Sequence, residues 1–227
     1  MTDEEKRDGS TDMKGDWDAR ARENAKYYIA TTNHESDELF DESGKIDVGH
    51  FFSDLEHLLG PDVRALDIGC GIGRMDRHVA PQVGHLTGID VSGEMVARAR
   101  ERLADLPNVE FLEGDGTSLA PLGDGSLDLV FSHVVFQHVP RHVFVGYLPE
   151  VLRVLRPGGS FVFQLPTALI EPPPDPPDDN TFDLRFWREE DVRAALEGAG
   201  FTYGSCRRFQ ISEDSPVEYL RVHASRE

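Results

Sequence analysis

Residues 65–75 read Ala-Leu-Asp-Ile-Gly-Cys-Gly-Ile-Gly-Arg-Met, an apolar strand pattern running into a turn with glycine at 69, 71 and 73. Glycine lets the backbone turn sharply and lets a ligand come closer than any Cβ would allow, so this stretch reads as a nucleotide-type cradle. The spacing narrows the ligand. A dinucleotide fingerprint, G-x-G-x-x-G, needs Gly or Ala where this chain has Arg74. Asp67, two residues before the first glycine, also points away from a pyrophosphate. Further along stand Asp90 in Gly-Ile-Asp at 88–90, Asp115 in Gly-Asp-Gly at 114–116, and Ser132-His133. A carboxylate about twenty residues after the glycine turn suits the two hydroxyls of a ribose. An acid at 115 can accept from an exocyclic adenine amine. Three carboxylates without a Lys or Arg pair suit a ribose and a cationic group and suit a triphosphate poorly. No G-x-x-x-x-G-K-[ST] loop is present.

The elements that must position these residues alternate between strand and helix patterns, the signature of a parallel sheet with crossover helices. Strands are expected at 63–68, 85–90, 109–113, 127–132, 160–165, 201–209 and 217–223, and helices at 73–80, 93–105, 141–156 and 188–199. In such sheets ligands bind beyond the carboxyl ends of the strands. Asp67, Asp90, Asp115 and Ser132 all fall at or just past such an end. Residues 1–15 are polar and read as a disordered tail. Residues 16–60 carry apolar residues at helical spacing, interrupted by the acidic stretch 35–47, and read as an N-terminal helical lid segment. Residues 61–227 form the main domain.

The bulk properties exclude several classes. A length of 227 residues fits one α/β domain with a small appendage. A formal net charge of -19 opposes wrapping a nucleic acid backbone. Two cysteines, Cys70 and Cys206, suggest neither a disulfide framework nor a zinc site. No apolar run approaches a membrane span and the first residues are no signal peptide, so a soluble cytoplasmic protein is expected, monomeric or homodimeric.

Five elements in order, residues 66–73, 88–92, 114–116, 127–132 and 155–159, make the chain resemble the class I S-adenosylmethionine-dependent methyltransferases. The resemblance runs from about residue 62 to the C-terminus. It implies a Rossmann-like seven-stranded sheet of order 3-2-1-4-5-7-6 with only the last strand antiparallel, and S-adenosyl-L-methionine as cofactor. It implies that Asp67, Gly69 and Gly71, with Cys70, hold the methionine part, that Asp90 binds the ribose, and that Val91 and Met95 flank the adenine. Asp115, Gly116 and Thr117 would meet the adenine edge, and Ser132 the amino-acid end. At the N-terminus, Tyr28 or its neighbour Tyr27 is expected to contact the cofactor, with Trp17 nearby.

The implied activity is methyl transfer to an oxygen or nitrogen of a small-molecule acceptor by in-line displacement, with no nucleic acid and no membrane as partner. At 132–135 the chain has Ser-His-Val-Val where a nucleic-acid enzyme would carry an Asn/Asp-Pro-Pro-Tyr motif. His133 and His138 are the candidates for a general base, and packing is the competing role for each. His138 and His142 stand four apart, but Pro140 lies between them and no carboxylate follows closely, so no metal is expected. Arg185 and Trp187, after the Pro-rich run at 172–177, are candidates to line the acceptor pocket. The alternative function is a non-catalytic module that binds the cofactor as a sensor or assembly subunit.

Overall fold

The computed structural model describes residues 12–167, 173–210, 215 and 217–227. The expected tail lies largely outside them, as does the start of the Pro-rich run. Strands β1 (Gly60–Ile68), β2 (Val83–Asp90), β3 (Val109–Glu113), β4 (Leu127–Ser132), β5 (Leu155–Thr167), β6 (Thr202–Gln210) and β7 (Glu218–Ser225) form one sheet in the order β3-β2-β1-β4-β5-β7-β6. Every pair is parallel except those that β7 makes with β5 and β6. The helices are α1 (Met13–Ile29), α2 (Asp37–Phe51), α3 (Asp76–Val79), α4 (Gly93–Arg102), α5 (Arg141–Val154) and α6 (Glu189–Ala199).

The sheet is buried on both faces, and the period of two along each strand sorts its side chains. In β4, Leu129 and Phe131 pack with α2 and α3, while Val130 packs with α5 and α6. In β1, Ala65 joins the first layer and Leu66 and Ile68 the second. Asp67 therefore shares a face with Ala65 and points toward α3. A third cluster, Ala21, Ala25, Phe40, Ile72 and Met95, seats α1 over the glycine turn and α4.

Two expectations at the N-terminus are corrected. The acidic stretch 35–47 does not interrupt the helical segment; it forms most of α2, with Ser36 capping Leu39 N and Asp37 and Glu38 in the first turn. Acids there complement the partial positive charge of a helix N-terminus, so charge density alone is no breaker. The segment breaks instead over residues 30–36, between α1 and α2, and kinks within α1 at Asn24 (φ -165°, ψ 86°), whose side chain caps Tyr27 N. Helix α1 also begins at Met13, inside the expected tail, with Asp12 capping Gly15 N at 3.0 Å. The helix expected at 73–80 shrinks to the single turn α3, because positive φ at Gly71 and Gly73 delays helical geometry.

Candidate active site

The glycine turn is built against β2. Gly69 N and Cys70 N both donate to Ile89 O, at 2.7 and 3.1 Å, and Gly71 N donates to Asp90 Oδ2 at 2.9 Å. Gly69 has φ +80°, and a Cβ there would lie 2.3 Å from Val135 Cγ2. Gly71 has φ +54°, and its Cβ would meet Ile29 Cδ1 of α1 at 2.8 Å. Both positions thus need glycine for backbone conformation and for space. Gly73 serves packing, because Leu103 and Phe111 fill the place of its Cβ.

One cleft, about 1030 Å³ counting its open mouth, runs along the carboxyl ends of the strands. At one end it touches Val91, Met95, Gly114, Gly116 and Tyr147, and at the other His133, Val134, Val135, Trp17 and Tyr28, with Asp67, Cys70 and Asp90 between. Asp90 keeps a lone pair free on each oxygen, since Oδ1 accepts from Ser92 N and Oδ2 from Gly71 N, both at 2.9 Å. Burial pushes its carboxyl up to about 6 against the lowering effect of those two bonds. Asp18 of α1 accepts from Ser92 Oγ at 2.7 Å and so ties that helix to the start of α4.

Three expected contacts sit elsewhere. The Asp115 carboxylate folds back on its own turn, accepting from Thr117 N, Ser118 N and Ser118 Oγ at 2.7–2.8 Å. Asp115 and Thr117 are exposed beside the cleft and Gly116 alone of the three lines it. An Asp followed by Gly favours such a self-capping turn, a local competitor to ligand binding that spacing does not reveal. Ser132 is buried and donates to Ile68 O at 2.8 Å, locking β4 to β1.

The loop after β4 holds both histidines. Val134 has φ 60°, a left-handed conformation that a β-branched residue rarely adopts, and it stands in the cleft wall between His133 and Val135. Such strain clusters at functional sites. The His133 ring packs edge-on against Phe51 of α2 at 5.2 Å and has no hydrogen-bond partner among the described residues. Burial lowers it to about 4, opposed by Asp47, so the ring is neutral near pH 7. His138 differs: Nδ1 lies 2.7 Å from Phe182 O and Nε2 lies 2.9 Å from Gln137 Nε2. A carbonyl must accept and an amide N–H must donate, which fixes the proton on Nδ1 and leaves neither nitrogen free. His138 also contacts Trp17, at 5.8 Å between centroids, and stacks on Phe182 at 5.9 Å.

Arg185 and Trp187 do not reach the cleft. The Arg185 guanidinium, 1% exposed, donates to the carbonyls of His138, Pro177 and Asn180. Trp187 packs on Phe144 in the core. The loop after 172 reaches the site through Phe182 instead. Arg20 of α1 lies over the rings of Trp17 (4.7 Å) and Phe182 (5.3 Å) and donates to Thr181 Oγ1 at 2.8 Å. Sequence reasoning missed Asp76, Ile29, Val134 and Tyr147. Only Val134 and Tyr147 had a signal available: the first lies between two singled-out residues, and the second on the cleft-facing side of a recognised helix.

Sheet order, glycine turn and cleft together define the fold of class I methyltransferases. Residues 66–163 match the family model described as a methyltransferase domain. Among curated proteins, the trans-aconitate 2-methyltransferase of Azoarcus sp. (strain BH72) is 38% identical over 110 residues, 47% of this chain and 40% of that protein. The 2-methyl-6-phytyl-1,4-hydroquinone methyltransferase of Synechocystis sp. (strain ATCC 27184 / PCC 6803 / Kazusa) is 33% identical over 156 residues, 67% of this chain and 46% of that protein. The matches thus span less than half the length of these relatives. Among solved structures, geranyl diphosphate C-methyltransferase from Streptomyces coelicolor A3(2) superposes with a TM-score of 0.71 at 14% identity, covering 96% of this chain and 99% of that one. The [4+2]-cyclase SpnF superposes with a TM-score of 0.65 at 22% identity, covering 82% and 81%. At these identities the structural likeness establishes the fold.

Proposed function

We propose that the domain transfers a methyl group from S-adenosyl-L-methionine to an oxygen or nitrogen of a small-molecule acceptor. The observation that carries this is one cleft whose wall joins Met95, Asp90 and the glycine turn to His133 and Trp17. The chain's residues fit the cofactor. Asp90 has a free lone pair on each oxygen for a ribose, Gly69 and Gly71 leave the space that a Cβ would fill, and Asp67 and Asp90 line the cleft while the charge of Arg74 is paired with Asp47. When bound, the cofactor supplies a methyl group activated by a positively charged sulfur.

The protein's share is alignment and exclusion of water. Helix α1 and the 180–182 loop close over the cleft through Arg20, Trp17, Tyr28 and Phe182. His138, with both nitrogens engaged, fixes that loop and is a positioning residue. His133 presents a neutral ring that can accept a hydrogen bond from the acceptor. A group titrating at about 4 is a weak base at neutral pH, so it suits acceptors that ionise readily over simple alcohols. Arg74 lines the cleft with its charge paired to Asp47 at 2.6 Å.

The test is transfer of labelled methyl from S-adenosylmethionine to a panel of small carboxylic acids, phenols and amines. Label on one acceptor class, lost in His133→Ala with cofactor affinity retained, supports the reading. Tight cofactor binding with no transfer to any member, and indifference to substitution at 133, favours the non-catalytic module.

A further inference from the structure

A buried carboxylate in this fold does nothing in the scheme so far. Asp76, the first residue of α3, is 0% exposed, and neither of its oxygens has a hydrogen-bond donor among the described residues. It opens the helix toward which Asp67 points, and Asp67, itself 4% exposed, lines the cleft. We propose that Asp76 is a positioning residue for cofactor capture: it shares a proton with Asp67, and the pair gives up a proton when a cationic ligand settles against Asp67.

Two neighbouring buried carboxylates repel when both are charged, and a buried carboxylate without donors among the described residues is expensive to keep charged. The surroundings offer little compensation. From the glycine turn, Arg74 is the near cation, but its Nη1 is committed to Asp47 of α2 at 2.6 Å and to Ser43 at 3.1 Å. From β2, Asp90 adds negative charge, and the buried Cys70 thiol adds no counter-charge. Beyond Asp90 stand Asp18 of α1 and Tyr147 of α5, and beyond Arg74 stands His133, which is neutral. A positively charged ligand supplies what these residues lack. Burial, then Asp76, drive the Asp67 carboxyl well above its ordinary range, and burial lifts Asp76 to about 7.

The proposal rests on the cofactor reading above and is tested separately from it. Binding of S-adenosylmethionine is measured by calorimetry at about pH 6 and about pH 8. With a group titrating at about 7, one-proton linkage makes affinity rise about tenfold across that interval. In Asp76→Asn the new amide donates to Asp67 and fixes its charge, so the profile flattens; Asp67→Asn binds more than tenfold more weakly at both pH values. Asp90, at about 6, is unchanged in both variants and cannot cause the difference. Should Asp76→Asn not fold, the wild-type infrared difference spectrum at about pH 7 replaces it, where binding removes a protonated-carboxyl band. An Asp76→Asn profile as steep as wild type, or no carboxyl change in the spectrum, overturns the shared proton. Absence of binding at both pH values overturns the cofactor reading itself.

Discussion

Replacing Gly69 and Gly71 singly by alanine separates two physical costs that the turn combines. Both carry positive φ, +80° and +54°, so each alanine pays about 1–2 kcal/mol for a left-handed backbone. The space differs. At Gly69 the new Cβ meets Val135 at 2.3, 2.7 and 3.0 Å, and all three atoms belong to a stiff β-branched side chain. Relief requires moving the loop after β4, an overpacking penalty of about 1–3 kcal/mol. At Gly71 the clash is with the far end of Ile29, at 2.8 and 3.3 Å, which can rotate away at little cost. The expected losses are therefore about 2–5 kcal/mol for Gly69→Ala and about 1–2 kcal/mol for Gly71→Ala. Urea denaturation at fixed pH reads the difference as separated midpoints with similar slopes. Adding Ile29→Ala should relieve the contact in Gly71→Ala and leave Gly69→Ala unimproved. Equal midpoints for the two glycine variants would refute the packing argument, because backbone strain alone predicts near equality.

Asp90→Ala should weaken S-adenosylmethionine binding at least tenfold by calorimetry while circular dichroism stays native; unchanged affinity would remove Asp90 from the ribose site. Val134→Asn, which tolerates φ 60° better, should gain about 1 kcal/mol in urea denaturation and lose turnover, since the strain that holds His133 is relaxed. A fall in stability would place the residue's worth in packing. The pH dependence of stability has opposing parts. His133 and His138 are held at about 4, below the unfolded value of about 6.5, so their contribution is present above that value and fades as pH falls. Asp76 and Asp90, raised to about 7 and about 6, run the other way and lose stability as pH rises through those values. Asp76→Asn removes one opposing slope, so its stability should climb more steeply than wild type between about pH 4 and 7. Parallel curves would show that Asp76 does not titrate in that window.

Much of the sheet was legible because its strands are apolar runs bounded by glycine and polar turns. The spans expected at 109–113 and 127–132 match β3 and β4 residue for residue. The ends of β5 were not, since pairing with β7 extends it past Pro166, where side-chain pattern gives no signal. The acidic α2 was misjudged because acids at a helix start stabilise it, while its apolar face, Phe40, Val48 and Phe51, is sparse. Among site residues, those fixed by backbone geometry, Gly69, Gly71 and Asp90, sit where spacing placed them. Asp115, Ser132 and His138 each hold a protein partner that spacing did not reveal.

By itself, the sequence determined the order of strands and helices, the glycine turn, and the acid at the end of β2. Those are local matters of periodicity and of φ values that only glycine adopts easily. Tertiary structure decided which polar groups remain free. It used both nitrogens of His138, left His133 open in the cleft, buried Arg185 among carbonyls, and set Asp76 near Asp67 with no donor among the described residues. Hydrogen-bond satisfaction depends on how separate segments pack around each group, and no spacing rule within one segment encodes it.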